Sequence, residues 1–375
     1  MKNKIQIVLL CAFMLVGCGS RDDSKKNKET QALVSGDYNA ELPLITSDSR
    51  NMHGSKRAGS MFDSFEIGHG LYERSKDHFS SDNYIQSEGS VLDLKEIQRL
   101  VGRQKIKTDK DDNSPTNDIG LNPKLGTKFD NGEGVMIDSP MIVEEIYEID
   151  FKKTKDELAG ISVAIVLQSQ QREEAKSEAG VAYEKITKIE KETLKLYGQE
   201  AARKLVSYLR QQPQVGDAMP IYVTLFDVSS PDTTLPGSFI SQAYFTSHSR
   251  SSKFEDIEEE WVLFPSDRGD QIDSVTATHF DTMRKSLYMF LPEDVSLIGK
   301  ALYIDKKIDT LYINVSIQAK TYTECQGLIQ YTGSLIDNFN DQGMEVKINF
   351  LNGNETIAVM TRNKNSSKIN LTMLI

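Results

Sequence analysis

Ile161-Ser-Val-Ala-Ile-Val-Leu-Gln168 and Leu311-Tyr-Ile-Asn-Val-Ser-Ile-Gln318 are the stretches whose reading decides the fold. Both are short runs rich in β-branched residues, and the first is so continuously apolar that it suits a strand buried on both faces. Each is preceded by a strand signal, Val143–Phe151 in one case and Leu297–Ile304 in the other, so each begins as a hairpin. Each is followed by an amphipathic stripe. In Ile186–Gln211 the stripe is Leu194, Tyr197, Ala201, Leu205 and Tyr208 or Leu209, with Pro213 as the stop. In Thr323–Phe339 it is Leu328, Tyr331, Leu335 and Phe339, with the same spacing.

Two more strand signals close each set: Pro220–Val228 and Phe239–Thr246 around a Pro231–Gly237 turn, then Met344–Leu351 and Thr356–Thr361. The order predicts an α+β protein of mostly antiparallel sheets with packed helices, arranged as two β-β-α-β-β units over residues 142–250 and 296–375. A duplicated unit accounts for the likeness, and so does chance repetition of a common pattern. Between them, residues 251–295 read as a connecting helical region. It comprises an acidic short helix at Phe254–Glu260, an aromatic strand or turn at Trp261–Pro265 and a helix at Asp273–Phe290.

Upstream, residues 37–141 read as a mixed region of short elements. Leu92–Val101 is expected to be a helix, with Asp93 near its start, Leu94, Ile97, Leu100 and Val101 at helical spacing, and Gly102 as its end. Residues 104–118 are polar enough to predict a mobile loop.

The N-terminus carries an address. Lys2 and Lys4 precede a 13-residue run, Ile5–Gly17, broken only by Gln6. It has the length of a signal-peptide core and is too short to span a bilayer. The run ends in Leu15-Val16-Gly17-Cys18, similar to the lipobox of bacterial lipoprotein precursors. That resemblance implies cleavage before Cys18, whose thiol takes the lipid, with Leu15, Val16 and Gly17 filling the protease subsites. At ~0.8 kcal/mol per buried CH₂, two acyl chains hold a protein at a membrane where one does not. Residues 1–17 are therefore expected to be a signal peptide, and residues 18–36 a solvated tether in which only Ala32, Leu33 and Val34 are apolar after Gly19. The expected location is the extracytoplasmic face of the cell membrane. A signal peptide without lipidation, or a cytoplasmic protein with an apolar start, is the competing reading.

With the lipobox, several segments resemble the CamS family, lipoproteins described as sex pheromone precursors of Gram-positive bacteria. They are Leu100-Val-Gly-Arg103, Gly120-Leu-Asn-Pro123, Leu158-Ala-Gly-Ile-Ser162, the Gly198–Gln211 helix with its Leu-Arg-Gln end, Pro236-Gly-Ser-Phe-Ile240 and Val262-Leu-Phe-Pro-Ser266. Ile298-Gly-Lys300 and Gln330-Tyr331 also fit. The resemblance implies that the released signal peptide is trimmed to a short apolar mating signal, here drawn from Cys11, Ala12, Phe13, Met14, Leu15, Val16 and Gly17. Phe13 and Leu15 fit such a peptide, whereas Cys11 and the Val16-Gly17 end depart from it. A signal-peptide core with no further role is the alternative.

The chain has 375 residues, enough for two ordinary cores, so neither disulfides nor a metal is needed for stability. Its 44 basic and 55 acidic residues give a net charge of −11, which repels nucleic acid, and none is expected as a partner. Three cysteines, Cys11, Cys18 and Cys325, make no disulfide framework. The five histidines are His53, His69, His78, His248 and His279, and none forms His-Glu-x-x-His. His69 and His78 with Glu66 or Glu73 are a conceivable small site, but a structural metal takes about four ligands and packing is the preferred reading. His279 is assigned to a helix face. No nucleophile elbow, phosphate-cradling loop or dinucleotide motif occurs, and Ser247–Ser252 reads as a loop, so no catalytic residue, metal or cofactor is assigned. The run Glu255–Glu260 reads as a solvated face, and Cys325 as a buried apolar residue rather than a reactive thiol. Trp261-Val-Leu-Phe264 reads as core, although a Trp261 at a rim favours a binding groove. An extracytoplasmic binding module with an unidentified ligand or partner is preferred over a surface enzyme with a dispersed site.

Overall fold

A computed structural model describes residues 29–44, 46, 64–105, 116–154, 157–177, 180–228, 235–293, 295–339 and 343–374. The expected signal peptide with its candidate pheromone segment, Cys18, His53 and most of the expected 104–118 loop lie outside the described residues.

In chain order the N-terminal region holds α1 (Ser64–Ser75), β1 (Ile85–Glu88), α2 (Leu94–Leu100), β2 (Lys128–Asp130) and β3 (Met136–Asp138). Next come β4 (Val143–Thr154), β5 (Glu157–Leu167), β6 (Gln170–Lys176), β7 (Ala182–Lys188), α3 (Lys191–Leu209), β8 (Ile221–Asp227) and β9 (Ser238–Phe245), and then β10 (Glu255–Asp256) in the stretch read as the connecting region. The remainder holds β11 (Glu259–Phe264), α4 (Asp267–Ile272), α5 (Ser274–Phe290), β12 (Val295–Ile304), β13 (Lys307–Ile317), α6 (Tyr322–Leu335), β14 (Glu345–Asn352), β15 (Glu355–Arg362) and β16 (Ile369–Met373).

Two six-stranded sheets result, ordered β1-β4-β5-β8-β9-β10 and β11-β12-β13-β14-β15-β16. At the centre of the first, β4–β5 is antiparallel, β5–β8 parallel and β8–β9 antiparallel. The second repeats the sequence with β12–β13, β13–β14 and β14–β15. A parallel pair needs a crossover that a tight turn cannot supply, and α3 and α6 are those crossovers. The α+β class with mainly antiparallel sheets is thus the observed one, and the two units share strand order and direction.

The two key strands sit at corresponding positions, but their second faces differ. Ile161, Val163, Ile165 and Leu167 of β5 bury against the core under α2 and α3, including Leu194, Ala201 and Leu205. Ala164 and Val166 bury on the opposite face with Ile67 and Leu71 of α1. In β13, Leu311, Ile313, Val315 and Ile317 pack with Leu328 and Leu335 of α6 and Phe280 of α5, while Asn314 on the other face is exposed. The first sheet is covered on both faces; the second is covered by helices on one.

α2 falls within its expected range and is capped at its start by local chemistry. Asp93 accepts from the Glu96 backbone N–H while the Glu96 side chain accepts from that of Asp93. α6 begins with the same reciprocal device from Thr321 and Glu324.

Several expectations are corrected. Ile186 lies in β7, and the helix begins at Lys191, because the polar stretch after β5 folds as the β6–β7 hairpin, tied by Arg172–Glu184 at 2.6 Å. Phe254–Glu260 is not helical. Glu255 and Asp256 pair with Gln242 and Ser241, Ile257 is buried in the first sheet's core, and Glu259 opens β11 in the second sheet. Two residues carry the chain between sheets, which requires extended backbone. The mixed region contains the twelve-residue α1, and α1, α4 and β16 had no individual assignment. The end of the expected tether is ordered too: Glu29 bridges to Glu41 and the Thr30 N–H donates to the Ala40 carbonyl at 2.8 Å.

Candidate functional site

Val262 and Phe264 of β11 point into the second core, so Trp261 takes the opposite face. There it meets β12 and β13, whose register sets Lys300 beside Tyr312 and Tyr312 beside Lys347 of β14. The Trp261 and Tyr312 ring centres are 5.9 Å apart. Lys300 Nζ lies 5.0 Å from the centre of Trp261 and 5.4 Å from that of Tyr312, and Lys347 Nζ 5.3 Å from Tyr312. Each ammonium is within the range at which an aromatic face attracts a cation. Lys347 is also paired with Glu345 at 2.8 Å.

The opposing wall is α1 and the ends of β8 and β9. Glu66, His69, Glu73 and Arg74 line it with Phe226 and Phe239, and together with Trp261 and Tyr312 they enclose a groove of about 380 Å³ between the two sheets. Gly70 permits this wall: a Cβ there would lie 2.3 Å from Phe239 Cε2, so any side chain would push α1 off the sheet. Glu259 also lines the groove; it accepts from the Phe239 backbone N–H at 2.9 Å and is ion-paired with Arg74. Arg74 in turn lies over the Phe239 ring, 4.4 Å from its centre. Burial pushes the Glu259 carboxyl up, against the pull of the Arg74 charge. Trp261 is also a wall of a neighbouring cavity of about 420 Å³ lined by Lys188, Lys191, Asp227 and Ser238. In that cavity burial raises Asp227 to about 6, although it accepts from the Ser169 backbone N–H.

The sequence-derived candidates fall as follows. Trp261 is half-buried at the groove wall while Val262 and Phe264 are core, so the four-residue run divides between the two readings. His69 lines the groove, and its ring is parallel to that of Phe65. His78 is elsewhere, stacked on Tyr244 at 4.3 Å and tilted against Tyr222 at 4.5 Å, with burial lowering its pKa. Tyr222 and the groove residue Phe226 are four residues apart on β8, roughly 13 Å of strand. Among the described residues, no group of three or more His, Cys, Asp or Glu is placed to hold a metal ion. His279 is half-buried on α5, its ring edge-on to Phe339 at 6.0 Å. Cys325 is 5% exposed, and burial raises its thiol pKa. The solvated-face reading of Glu255–Glu260 is corrected at Glu259, whose side chain is 5% exposed.

Sequence reasoning missed a buried carboxylate pair on β4. Glu148 accepts from the backbone N–H groups of Ser90, Val91 and Leu92, and Asp150 from the Ser90 N–H and hydroxyl. Burial, then the neighbouring Asp150 charge, holds Glu148 well above the ordinary carboxylate range. Perturbed carboxyls often mark active sites. These bind main-chain donors at the entry to α2, which is a structural role. They share β4 with Glu144, Glu145, Lys152 and Lys153, so composition alone did not single them out.

A family model described as CamS sex pheromone cAM373 precursor matches residues 44–368. The crystal structure of a sex pheromone precursor from Lactobacillus salivarius subsp. salivarius UCC118 is 26% identical, with a TM-score of 0.78 over 92% of this chain and 98% of that one. The C-terminal domain of the sex pheromone staph-cAM373 precursor from Staphylococcus aureus is 23% identical, with a TM-score of 0.67 over 83% of this chain and 96% of that one, and shares the fold. Comparison with curated proteins finds no match. The match over most of the chain, in sequence and in fold, settles its kinship: the chain belongs to the CamS family of sex pheromone precursors.

Proposed function

We propose that the chain is made as a lipoprotein precursor, cut before Cys18 and held by a lipid on that thiol at the extracytoplasmic face of the membrane. The released peptide supplies a short apolar pheromone from within Cys11–Gly17, and the body binds an extracytoplasmic ligand in the groove between the sheets. The basic start, the Ile5–Gly17 run and Leu15-Val16-Gly17-Cys18 support the anchor, and family membership supports the peptide. The binding role rests on one observation: a groove of about 380 Å³ walled by Trp261 and Tyr312, with charged side chains from α1 and from the second sheet converging on it. Concave aromatic surfaces with a few placed polar groups are the usual form of a ligand site.

Trp261 is the single tryptophan of the chain, so its fluorescence reports on this groove. Titration of the mature protein with solubilised cell-wall glycan and with envelope peptides should give a saturable change in emission, weakened by Tyr312→Ala. No change with any fraction removes the binding reading. Intact masses of the mature protein and of the peptide it sheds test the rest: an unmodified Cys18, or retention of residues 1–17, refutes the anchor.

A further inference from the structure

The end of the stretch read as tether is a built hairpin that presents bare apolar side chains. Thr30 and Ala40 are joined twice, the Thr30 N–H donating to the Ala40 carbonyl and the Ala40 N–H to the Thr30 hydroxyl, each at 2.8 Å. Asn39 Oδ1 accepts from the Ala32 N–H at 2.9 Å. The tip is a turn in which the Asp37 N–H donates to the Val34 carbonyl, with Gly36 at φ +90°, a conformation that costs glycine little. The base is pinned by Tyr38, 3% exposed, whose hydroxyl donates to the Phe79 carbonyl and whose N–H donates to the Tyr72 hydroxyl. Lys152–Glu41 at 2.7 Å fixes the return strand. On this scaffold Leu33 is 99% exposed and Val34 63%.

Single exposed apolar residues need no explanation, but two at the tip of a braced hairpin bury nothing for the ordering they require. We propose that Leu33 and Val34 form a membrane-contact tip that dips into the outer leaflet beside the lipid on Cys18. The proposal rests on the anchored reading above. Eleven residue steps separate Cys18 from Glu29, so the hairpin base lies at most ~40 Å of chain from the lipid. Residues 19–28 carry Arg21, Lys25, Lys26 and Lys28 against Asp22 and Asp23, a basic excess suited to anionic headgroups in a chain that is otherwise acidic. The lipid holds the chain, and the tip sets which side of the body faces the bilayer.

The test places a thiol at the tip of the mature, lipidated protein. With Cys11 removed, Cys18 acylated and Cys325 buried, Leu33→Cys supplies the accessible thiol for an environment-sensitive fluorophore, and its full exposure makes the substitution harmless to folding. Asn370→Cys on exposed β16 is the control. In vesicles of equal parts phosphatidylglycerol and phosphatidylcholine, the tip probe should shift to the blue and be quenched by headgroup-labelled lipid, and the control should do neither. Co-sedimentation with both probes solvent-like overturns the tip and leaves the anchor standing. Failure to co-sediment overturns the anchor and the tip with it. A shift seen only when envelope proteins are added assigns the tip to a protein and overturns the lipid assignment.

Discussion

The backbone N–H of Phe239, in the first sheet, donates to the carboxylate of Glu259, the first residue of the second sheet, at 2.9 Å. Arg74 of α1 completes the contact as the ion-pair partner of the same carboxylate. A charge from the second sheet is therefore satisfied by a main-chain group of the first and by the helix packed on it, next to the groove. Trp261 is two residues further along the strand that Glu259 begins, so this contact sets the position of the groove's aromatic wall.

Arg74→Ala leaves Glu259 buried without its cation. The loss of one partner of such a pair costs about 3–5 kcal/mol. The double variant Arg74→Ala, Glu259→Gln should recover part of this, because a neutral amide oxygen still accepts from Phe239. Thermal unfolding of the three proteins checks the order. Equal stability of the single variant and the wild type would show that the pair contributes nothing.

Asp227 has its carboxyl raised to about 6 by burial. The folded state binds that proton more tightly than the unfolded chain does. This group therefore contributes stability that is fully present below about pH 4 and is lost as pH rises through about 6. Asp227→Asn keeps an oxygen for the Ser169 N–H and removes the charge, so it should stabilise by roughly 2 kcal/mol at pH 7.5, with the gain vanishing near pH 4. The check is melting temperature against pH for the two proteins; a gain independent of pH would contradict the assignment.

The two matching strands and the helices after them were legible because strand and helix periodicity record burial, and burial is what β5, β13, α3 and α6 share. The difference between the units was also written there. Tyr312, Asn314 and Ser316 alternate with Leu311, Ile313, Val315 and Ile317, as a one-sided sheet requires, whereas Ala164 and Val166 continue the apolar run because α1 lies over them. What could not be read was long-range. The run Glu255–Glu260 has helical composition, yet a two-residue crossing between sheets makes it extended. Glu259 is buried only because Arg74 and Phe239, far away in sequence, come to meet it. The groove was legible as far as Trp261, and its second wall depends on Gly70 letting α1 approach Phe239.

Glu148 serves three consecutive main-chain donors at 2.9 to 3.1 Å, those of Ser90, Val91 and Leu92. Glu148→Ala strips the acceptor from the buried N–H groups of Val91 and Leu92, at about 1–3 kcal/mol each when unsatisfied, while Ser90 keeps Asp150, so a loss of about 4 kcal/mol is expected. Hydrogen exchange should show it first at residues 90–92 and α2, with α6 unaffected. Uniform loss of protection across both sheets would mean that Glu148 does not act locally.

Leu205 lies in the stripe of α3 and Leu335 in the stripe of α6, where it corresponds to Ala201 and Phe339 to Leu205, and their environments separate them. Leu205 is wholly buried between α3 and the first sheet, whereas Leu335 is 9% exposed where α6 gives way to a short 3₁₀ turn. Truncation to alanine leaves a cavity whose cost depends on how far the surroundings relax, and it should be about 4 kcal/mol at Leu205 and about 2 kcal/mol at Leu335. Leu205→Asp should prevent the first sheet and its helices from folding, since burial of a carboxylate in this apolar cluster costs more than the stability margin of an ordinary domain. Leu335→Asp can turn toward solvent at the helix end and should yield a folded protein of lowered melting temperature. Soluble expression, circular dichroism and denaturant unfolding of the four variants check the ranking. If Leu335→Asp proved the more damaging of the two, the second core would have to be the tighter one, contrary to the packing described.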